Sequence, residues 1–318
     1  MKRREFIQNT ALASSATMLL GLGACSPSKK GLDSIGIQLF SLPKMLENDL
    51  PGTLNMLSQM GYKEIEIYGP YPFSSVAAHE RWKAVTPSLG FTGSGFYGHS
   101  AKEFQGLLQD NGLKATSGHI DLVSLQTKMP EVGEAVRTLG LDCMGISAIP
   151  GELRTSLDDY KRMADTLNAI GENAKNEGFR FIYHNHGYGL HEMDGQIPLN
   201  IILDNTDPEL VFFEMDIYWT TAGGADPAEY LQKYKDRYIA MHLKDMKEIT
   251  TFKGDGGTAD QWIELFPLMT SVGKGAMDIP AIVDAAQKSG VKHFFVEQDV
   301  VENPRVALKE SIDYLKSV

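Results

Sequence analysis

The chain has 318 residues, of which 42% are hydrophobic and 22% are charged, and its formal net charge is −11. This composition is ordinary for a globular protein, and the length accommodates one large α/β barrel or two smaller domains. The negative net charge, and the lack of a run of Lys and Arg residues interleaved with aromatic residues, argue against nucleic acid or an anionic membrane surface as a partner. A neutral sugar and a metal cation remain compatible ligands.

The first 30 residues have the layout of an export signal, in which a basic start precedes an apolar stretch and small residues. The Arg3–Arg4 pair resembles a twin-arginine signal. The residues LGAC, which end at Cys25, resemble a bacterial lipobox, and the alternative is a plain signal with a chance cysteine. We therefore predict a signal and linker over residues 1–30 and a folded domain over 31–318. The expected protein is exported to the periplasm and anchored by a lipid on Cys25.

Cysteine content limits the covalent chemistry of the chain. Cys25 and Cys143 are the only two cysteines. If Cys25 is lipidated, Cys143 has no disulfide partner, and its apolar neighbours predict a buried core thiol. Two cysteines also exclude zinc-finger spacing.

Strand-like runs and helix-like segments alternate along the rest of the chain, which predicts parallel βα units. Eight such units predict a (β/α)8 TIM barrel with its site at the carboxyl ends of the strands. A doubly wound open sheet is the alternative, but the first strand lacks a G-x-G-x-x-G phosphate loop. The predicted strands are Ser34–Phe40, Glu64–Tyr68, Lys114–Ile120, Cys143–Ile149, Arg180–His186, Val211–Tyr218, Tyr238–His242 and His293–Val296.

Two segments depart from this alternation. Residues 69–100 are rich in Pro, Gly, Ser and aromatic residues, which predicts an enlarged loop with a helix over 76–89. Residues 247–277 predict a long, glycine-rich insertion, and whether it acts as a lid is left open.

The fifth strand delivers two imidazoles to its end. Because side chains alternate along a strand, His184 and His186 share one face, whereas Tyr183 and Asn185 take the other. Imidazole titrates near neutrality, so one of the two histidines is predicted to be a general base. The alternative is that both only hydrogen-bond to other residues of the site.

The last three strands end in a set of possible metal ligands. Asp216, His242 and Glu297 offer mixed nitrogen and oxygen donors, which suit Mn²⁺, Mg²⁺, Co²⁺ or Zn²⁺. Ionisable residues beside buried runs cost free energy unless they are paired or bind a metal. A fourth ligand is left open between Glu214, which shares the face of Asp216, and the fifth-strand histidines, with Glu192 ranked below them.

Further residues are predicted to surround this set. Lys244 lies two residues after His242 and could neutralise a developing oxyanion, or it could simply pair with Asp245 or Glu297. His119 at the end of the third strand and Trp219 after the sixth are predicted pocket walls, and the alternative for Trp219 is a core position.

The motifs YHNHG, EMDIYW, HLKD, VGKG and VEQD, in this order, resemble the sugar phosphate isomerase/epimerase family of xylose isomerase-like barrels. The resemblance runs from Ser34 to the end. The superfamily also contains endonuclease IV, inosose dehydratase and ketose 3-epimerases. The resemblance implies a metal ion held by Glu, Asp, His and Glu at the ends of successive strands. Asp216, His242 and Glu297 match the last three positions.

The chain departs from that pattern at two positions. His184 stands where relatives often carry a glutamate, and Trp219 stands where some relatives have a histidine ligand. The resemblance therefore implies that one acid/base carboxylate of a two-carboxylate epimerase is missing, and it argues against a three-metal nuclease. Relatives with a histidine at this strand position include enzymes that act on 3-keto sugars by β-elimination or hydration.

These residues and the resemblance predict a divalent-metal-dependent isomerase or epimerase. It would act through an enediolate on a non-phosphorylated or 3-keto sugar. The export signal fits, since phosphorylated sugars are scarce outside the cytoplasm. The alternatives are a 3-keto-glycoside lyase or dehydratase, and a non-catalytic sugar-binding lipoprotein. The oligomeric state is left open.

Overall fold

The structure is a computed structural model that describes residues 31–32, 34–299 and 301–318. The predicted leader and Cys25 lie outside the described residues, so export and lipidation stay predictions. Across the described ranges, every helix is too short or too polar to cross a bilayer.

Eight parallel strands close into a barrel in chain order, and the last strand pairs with the first. The closed barrel confirms the TIM-barrel prediction and rules out the open sheet. The strands are β1 Gly36–Gln38, β2 Glu64–Tyr68, β3 Lys114–His119, β4 Cys143–Ile146, β5 Arg180–His184, β6 Val211–Asp216, β7 Tyr238–Leu243 and β8 His293–Val296.

Several strands end earlier than predicted, because the chain turns at the carboxyl end of the barrel. β5 ends at His184, so His186 lies in the following loop. β6 ends at Asp216, whose side chain caps the short helix Ile217–Ala222. These turns move His186, and the residues after Asp216, out of the strand alternation that the sequence suggested.

Helices surround the barrel and bury their apolar faces against it. Leu157–Glu177, for example, begins after Ser156, whose side chain accepts a hydrogen bond from Asp159 N, and ends at Gly178 in the left-handed conformation (φ 90°). The other α-helices are Pro43–Asn48, Leu50–Met60, Val76–Leu89, Ala101–Asp110, Leu122–Thr127, Met129–Leu139, Pro198–Asn205, Ile217–Ala222, Pro227–Lys233, Ala259–Leu265, Ile279–Lys288 and Pro304–Leu315.

Close packing inside the barrel depends on two glycines. A Cβ on Gly145 in β4 would lie 1.7 Å from the carbonyl oxygen of Ile182 in β5. A Cβ on Gly36 in β1 would lie 2.4 Å from the ring of Phe295, which fills the interior from β8. Cys143 in β4 is a buried free thiol, as predicted.

A polar contact lies at the amino ends of the strands, opposite the predicted site. Glu64, the first residue of β2, accepts hydrogen bonds from His293 Nδ1 at 2.7 Å and from Thr116 Oγ1 at 3.1 Å. Asp142 Oδ2 lies 3.1 Å from His293 Nε2. Because side chains alternate, Glu66 points into the same interior one layer nearer the carboxyl ends.

The glycine-rich insertion is more structured than the sequence suggested. Asp245–Met246 pairs with Met269–Thr270 as a short antiparallel ribbon, and the helix Ala259–Leu265 lies between them. The Asp245 carboxylate accepts hydrogen bonds from the backbone N–H groups of Gly273 and Gly275, both at 2.9 Å. Asp245 therefore holds the insertion and does not pair with Lys244.

Candidate active site

A cavity of about 450 Å³ opens at the carboxyl ends of the strands. Its inner part, which we call the cavity floor, carries titratable and amide groups that lie at or just after the carboxyl ends of five different strands. The floor consists of Gln38, His119, His184, His186, His242, Glu297 and Asp299. The sequence prediction of a shared site at this end of the barrel is consistent with that placement.

The predicted ligands Asp216, His242 and Glu297 converge beside the floor. His242 Nδ1 lies 2.7 Å from Glu297 Oε2 and 3.7 Å from Asp216 Oδ2. Asp216 Oδ1 accepts a hydrogen bond from the N–H of Trp219 at 3.0 Å, so this helix cap orients the carboxylate with Oδ2 toward His242. All three side chains are buried. One donor atom from each of them can therefore meet at a single ion.

The hydrogen bonding of His242 tests whether a cation fits there. His242 Nε2 donates to Glu66 Oε2 at 2.5 Å, which leaves the Nδ1 lone pair facing the Asp216 and Glu297 oxygens. A lone pair and two carboxylates repel one another unless a cation or a proton lies between them. Neither His242 Nδ1 nor Asp216 Oδ2 has a hydrogen-bond partner of good geometry. The donor set therefore fits a divalent metal.

Without a metal, a proton can take that place on His242. Burial disfavours the imidazolium, but the carboxylates of Glu214, Glu297 and Glu66 outweigh burial and raise the pKa of His242 well above 6.5. A bound metal would displace this proton.

Lys244 is the cation that neutralises the carboxylates beside the floor. Its Nζ lies 2.7 Å from Glu297 Oε2, 2.7 Å from Asp299 Oδ2 and 3.1 Å from Asp216 Oδ2. Burial opposes the ammonium form, but Asp216, Asp299 and Glu297 outweigh it and raise the pKa of Lys244 well above 10.5. Of the two partners considered from sequence, Glu297 contacts Lys244 and Asp245 does not.

Glu214 lies one layer below Asp216 and holds two imidazoles. Its Oε2 accepts hydrogen bonds from His119 Nε2 at 2.7 Å and from His184 Nδ1 at 3.1 Å. Burial and the neighbouring His242 lower the pKa of His184, so the ring is neutral with its lone pair on Nε2. That atom lies 3.8 Å from Asp216 Oδ2. His184 can thus offer a nitrogen to the same region as the predicted ligands.

His186 lies in the loop after β5 and has a defined tautomer. A carbonyl oxygen only accepts, so the 2.6 Å contact between His186 Nδ1 and Ser147 O places the proton on Nδ1. Nε2 therefore carries the lone pair. Burial, together with the neighbouring His184 and Lys244, lowers the pKa of His186 well below 6.5, so the ring is neutral at pH 7. Its centroid lies 5.1 Å from that of Trp262 in the insertion.

Two acidic residues of the site were not singled out from sequence. Glu66 shares the alternating face of the second strand with Glu64, and only barrel closure brings it against His242 in β7. Asp299 follows Glu297 at the spacing that keeps two side chains on one face of an extended chain. Burial raises the pKa of Asp299 to about 6, because the neighbouring Glu297 adds to burial and Lys244 only partly offsets both.

Two sequence candidates lie outside the cavity. Trp219 is buried and does not line it, because the helix that starts after Asp216 turns the indole onto Phe252, with the rings stacked at 5.7 Å. The indole instead supports Lys244, whose Nζ lies 5.5 Å from the ring. This placement corrects the prediction of a pocket wall. Glu192 is exposed and apart from the ligand cluster, whereas His119 lines the cavity.

A closed parallel barrel with imidazoles and carboxylates at its carboxyl ends is the architecture of TIM-barrel enzymes. Residues 54–318 match the model of the xylose isomerase-like TIM barrel family. The chain therefore belongs to the xylose isomerase-like TIM barrel family.

The curated proteins that resemble this chain match only part of it. The chain is 33% identical over 92 residues to an inosose dehydratase of Clostridium tetani, a match that covers 29% of this chain and 30% of the relative. It spans less than half the length of the curated relatives it matches.

Solved structures share the fold over most of the chain. A sugar phosphate isomerase/epimerase from Parabacteroides distasonis superposes with a TM-score of 0.71 at 24% identity, covering 93% of this chain and 97% of that one. The IOLI protein with a bound zinc atom superposes with a TM-score of 0.63 at 15% identity, covering 89% and 98%.

Proposed function

We propose that the protein is a metal-dependent lyase or dehydratase that acts on a non-phosphorylated sugar, keto sugar or cyclitol. It removes a proton from the carbon next to a carbonyl and expels a group from the β carbon. The observation that carries the proposal is the tautomer of His186, which presents an unprotonated Nε2 at the cavity beside the ligand set. Similarity to inosose dehydratases supports the same class of reaction.

The metal would be held by Asp216, His242 and Glu297, with His184 as the fourth ligand. In this assignment Glu214 orients His184 and Glu66 orients His242, since metal-bound imidazoles commonly donate their other N–H to a carboxylate. When bound, the divalent ion would polarise the carbonyl and a neighbouring hydroxyl of the substrate. Mn²⁺, Mg²⁺, Co²⁺ and Zn²⁺ all fit the mixed nitrogen and oxygen donors.

The chain's own residues account for the proton movements. His186 Nε2 takes the proton from the carbon next to the carbonyl, and that electron pair becomes the enediolate double bond. Lys244, in the same buried cluster, stabilises the negative charge. As the double bond moves, the bond to the β substituent breaks, and Asp299 is placed to supply the proton that the leaving group needs. Water or an alcohol leaves with the electrons of that bond.

The charge of the site supports a substrate without phosphate. Five buried acidic side chains and one ammonium group lie in or beside the floor, and negative charge exceeds positive charge even with a divalent ion bound and Asp299 protonated. A phosphate dianion would therefore meet net negative charge at close range. The carboxylates belong to Glu66, Glu214, Asp216, Glu297 and Asp299, and the ammonium to Lys244.

An isomerase or epimerase is the second candidate, because the cavity also carries Asp299, a second group that can exchange a proton near neutral pH. Epimerisation would return a proton to the same carbon from the other side and lose no substituent.

An assay in D₂O separates the two reactions. The full chain would be loaded with Mn²⁺ and incubated with a 3-keto-glucoside or an inosose, and products would be followed by NMR. We expect an unsaturated product and a released alcohol or water. A deuterated epimer without elimination would select the second candidate. A protein that catalyses neither reaction with any of the four metals, yet binds sugar equally well in EDTA, would contradict both.

A further inference from the structure

We propose that the outer part of the cavity is an aglycone subsite, so that the substrate is a glycoside with an apolar, planar aglycone. This inference rests on the proposed function, which places the sugar ring on the cavity floor. It adds the part of the substrate that the proposed reaction does not define.

The outer part of the cavity, which we call the outer wall, differs sharply from the floor. On one side it is aromatic: Phe40 follows β1, Tyr68 ends β2, and Trp82 lies on the helix Val76–Leu89. The ring centroids of Phe40 and Tyr68 are 5.1 Å apart, and those of Tyr68 and Trp82 are 5.9 Å apart. These rings form one continuous aromatic surface.

The polar atoms of this aromatic surface are already used. Tyr68 donates its hydroxyl hydrogen to the carbonyl oxygen of Gly93 at 2.9 Å. The indole N–H of Trp82 donates to the carbonyl oxygen of Thr92 at 2.8 Å. Because the same loop engages both polar groups, the rings offer a ligand mainly their apolar and π surfaces.

The opposite side of the outer wall is mainly apolar, with Ile120, Leu122, Val123, Ala148 and Pro150. Asp121 and Ser147 lie among them and Arg81 lies at the mouth, but the Asp121 carboxylate already accepts hydrogen bonds from Ser75 and Ser124. A second sugar ring bound here would give up hydrogen bonds to water and regain few, which is unfavourable. An aromatic aglycone loses no such bonds, buries apolar surface and can stack on Tyr68 or Trp82.

The dimensions of the cavity agree with a ligand larger than one sugar. The volume of about 450 Å³ lies within the range of about 300–1,000 Å³ found for sites that enclose drug-sized molecules. Val85, also on the helix Val76–Leu89, lines the cavity although it is 45% exposed. An exposed valine at the mouth is explained if an apolar ligand covers it.

The helix Val76–Leu89 offers a matched pair of variants. Val85 lines the cavity, whereas Val76, which is 74% exposed, does not. Val85→Asp puts a charge at the mouth, and Val76→Asp puts the same charge on the same helix away from it. Both positions are exposed, so both variants should fold. Trp82→Ala removes part of the aromatic surface and serves as a second test.

The experiment measures binding of two probes to the Mn²⁺-loaded full chain by calorimetry. The probes are p-nitrophenyl β-D-glucopyranoside and methyl β-D-glucopyranoside, which share the sugar and differ in the aglycone. We expect the aryl glycoside to bind about tenfold more tightly, consistent with one aromatic stacking contact plus burial. Val85→Asp and Trp82→Ala should abolish most of that preference without changing the affinity for the methyl glycoside. Val76→Asp should keep it.

The possible results separate the subsite from the reaction. Equal binding of the two probes, or a preference that survives both Val85→Asp and Trp82→Ala, would overturn the subsite. If wild-type protein performs the elimination but binds neither probe, the subsite is also overturned while the proposed function stands. An aryl preference that depends on Val85 and Trp82, in a protein without proton abstraction, would support the subsite and count against the proposed reaction.

Discussion

The N–H of His186 Nδ1 points at the carbonyl oxygen of Ser147, 2.6 Å away, and this one contact fixes which nitrogen of the imidazole can accept a proton. Ser147 directly follows β4 and His186 follows β5, so two neighbouring strands of the barrel position the base between them. The orientation is set by backbone, which a substitution at Ser147 would not remove.

If His186 is the base, His186→Ala should lower the rate of deuterium exchange and of product formation by about 10²–10⁴-fold. Metal content should be unchanged, because His186 lies outside the proposed ligand set. Rates from NMR and bound metal from elemental analysis provide the two measurements. His79→Ala, at an exposed histidine away from the cavity lining, is the control. A rate within twofold of wild type would exclude His186 as base.

Glu66 is expected to support metal binding through His242. Glu66→Gln weakens the acceptor for the Nε2 hydrogen, and loss of such a carboxylate partner commonly reduces metal affinity about 10–100-fold. Competition with a fluorescent chelator would measure the dissociation constant. Glu64→Gln makes the same chemical change two residues away in β2, at the opposite end of the barrel, and should leave metal affinity intact. Equal affinities in both variants would contradict the proposed role of Glu66.

The Glu64–His293 contact should contribute stability that depends on pH. Burial opposes ionisation of Glu64, but hydrogen bonds from His293, Ser34 and Thr116 outweigh it and lower its pKa below 4.5. A group with a lowered folded-state pKa stabilises above its unfolded pKa and loses this contribution as the pH falls through its folded pKa. The contribution is thus complete at pH 7 and fades below about pH 4.5.

We therefore expect Glu64→Gln to lower the free energy of unfolding at pH 7 by about 1–3 kcal/mol. The difference from wild type should shrink at acidic pH below 4.5. Urea denaturation of EDTA-treated protein at several pH values measures it without a contribution from bound metal. Glu134→Gln, at an exposed carboxylate, should change stability by less than about 0.5 kcal/mol. A pH-independent difference for Glu64→Gln would argue against the ionic contact.

Lys244 is expected to be most important in the metal-free protein. Lys244→Met leaves the buried carboxylates of Asp216, Glu297 and Asp299 without their cation, and loss of one partner of a buried ion pair costs about 3–5 kcal/mol. A divalent ion can restore part of the missing charge. The melting temperature of Lys244→Met should therefore rise more on adding Mn²⁺ than that of wild type.

Differential scanning calorimetry with and without Mn²⁺ provides that comparison. Lys288→Met, at an exposed lysine paired with Asp284, should behave like wild type in both conditions. If Mn²⁺ stabilised Lys244→Met no more than wild type, Lys244 and the metal would not share these carboxylates.

Much of the fold was predictable because its signals are local. The predicted strands start at the same residues as seven of the eight observed strands. Asp49, Ser100 and Ser156 each cap the helix that follows them through a local side-chain hydrogen bond. Strand ends were less predictable, since a strand stops where the barrel wall stops. The short helix Ala259–Leu265 was missed, although Thr258 and Gln261 form a capping box at its start.

The sequence by itself determined which chemistry the strand ends could carry, namely imidazoles, carboxylates and one ammonium after buried runs. Only the tertiary structure decided how these groups are partnered. Barrel closure brings Glu66 of β2 against His242 of β7, 176 positions away in the chain. The turn after Asp216 removes Trp219 from the cavity and places it behind Lys244. The physical reason is that alternation fixes the face of a residue within a strand, whereas contacts between strands depend on register and closure.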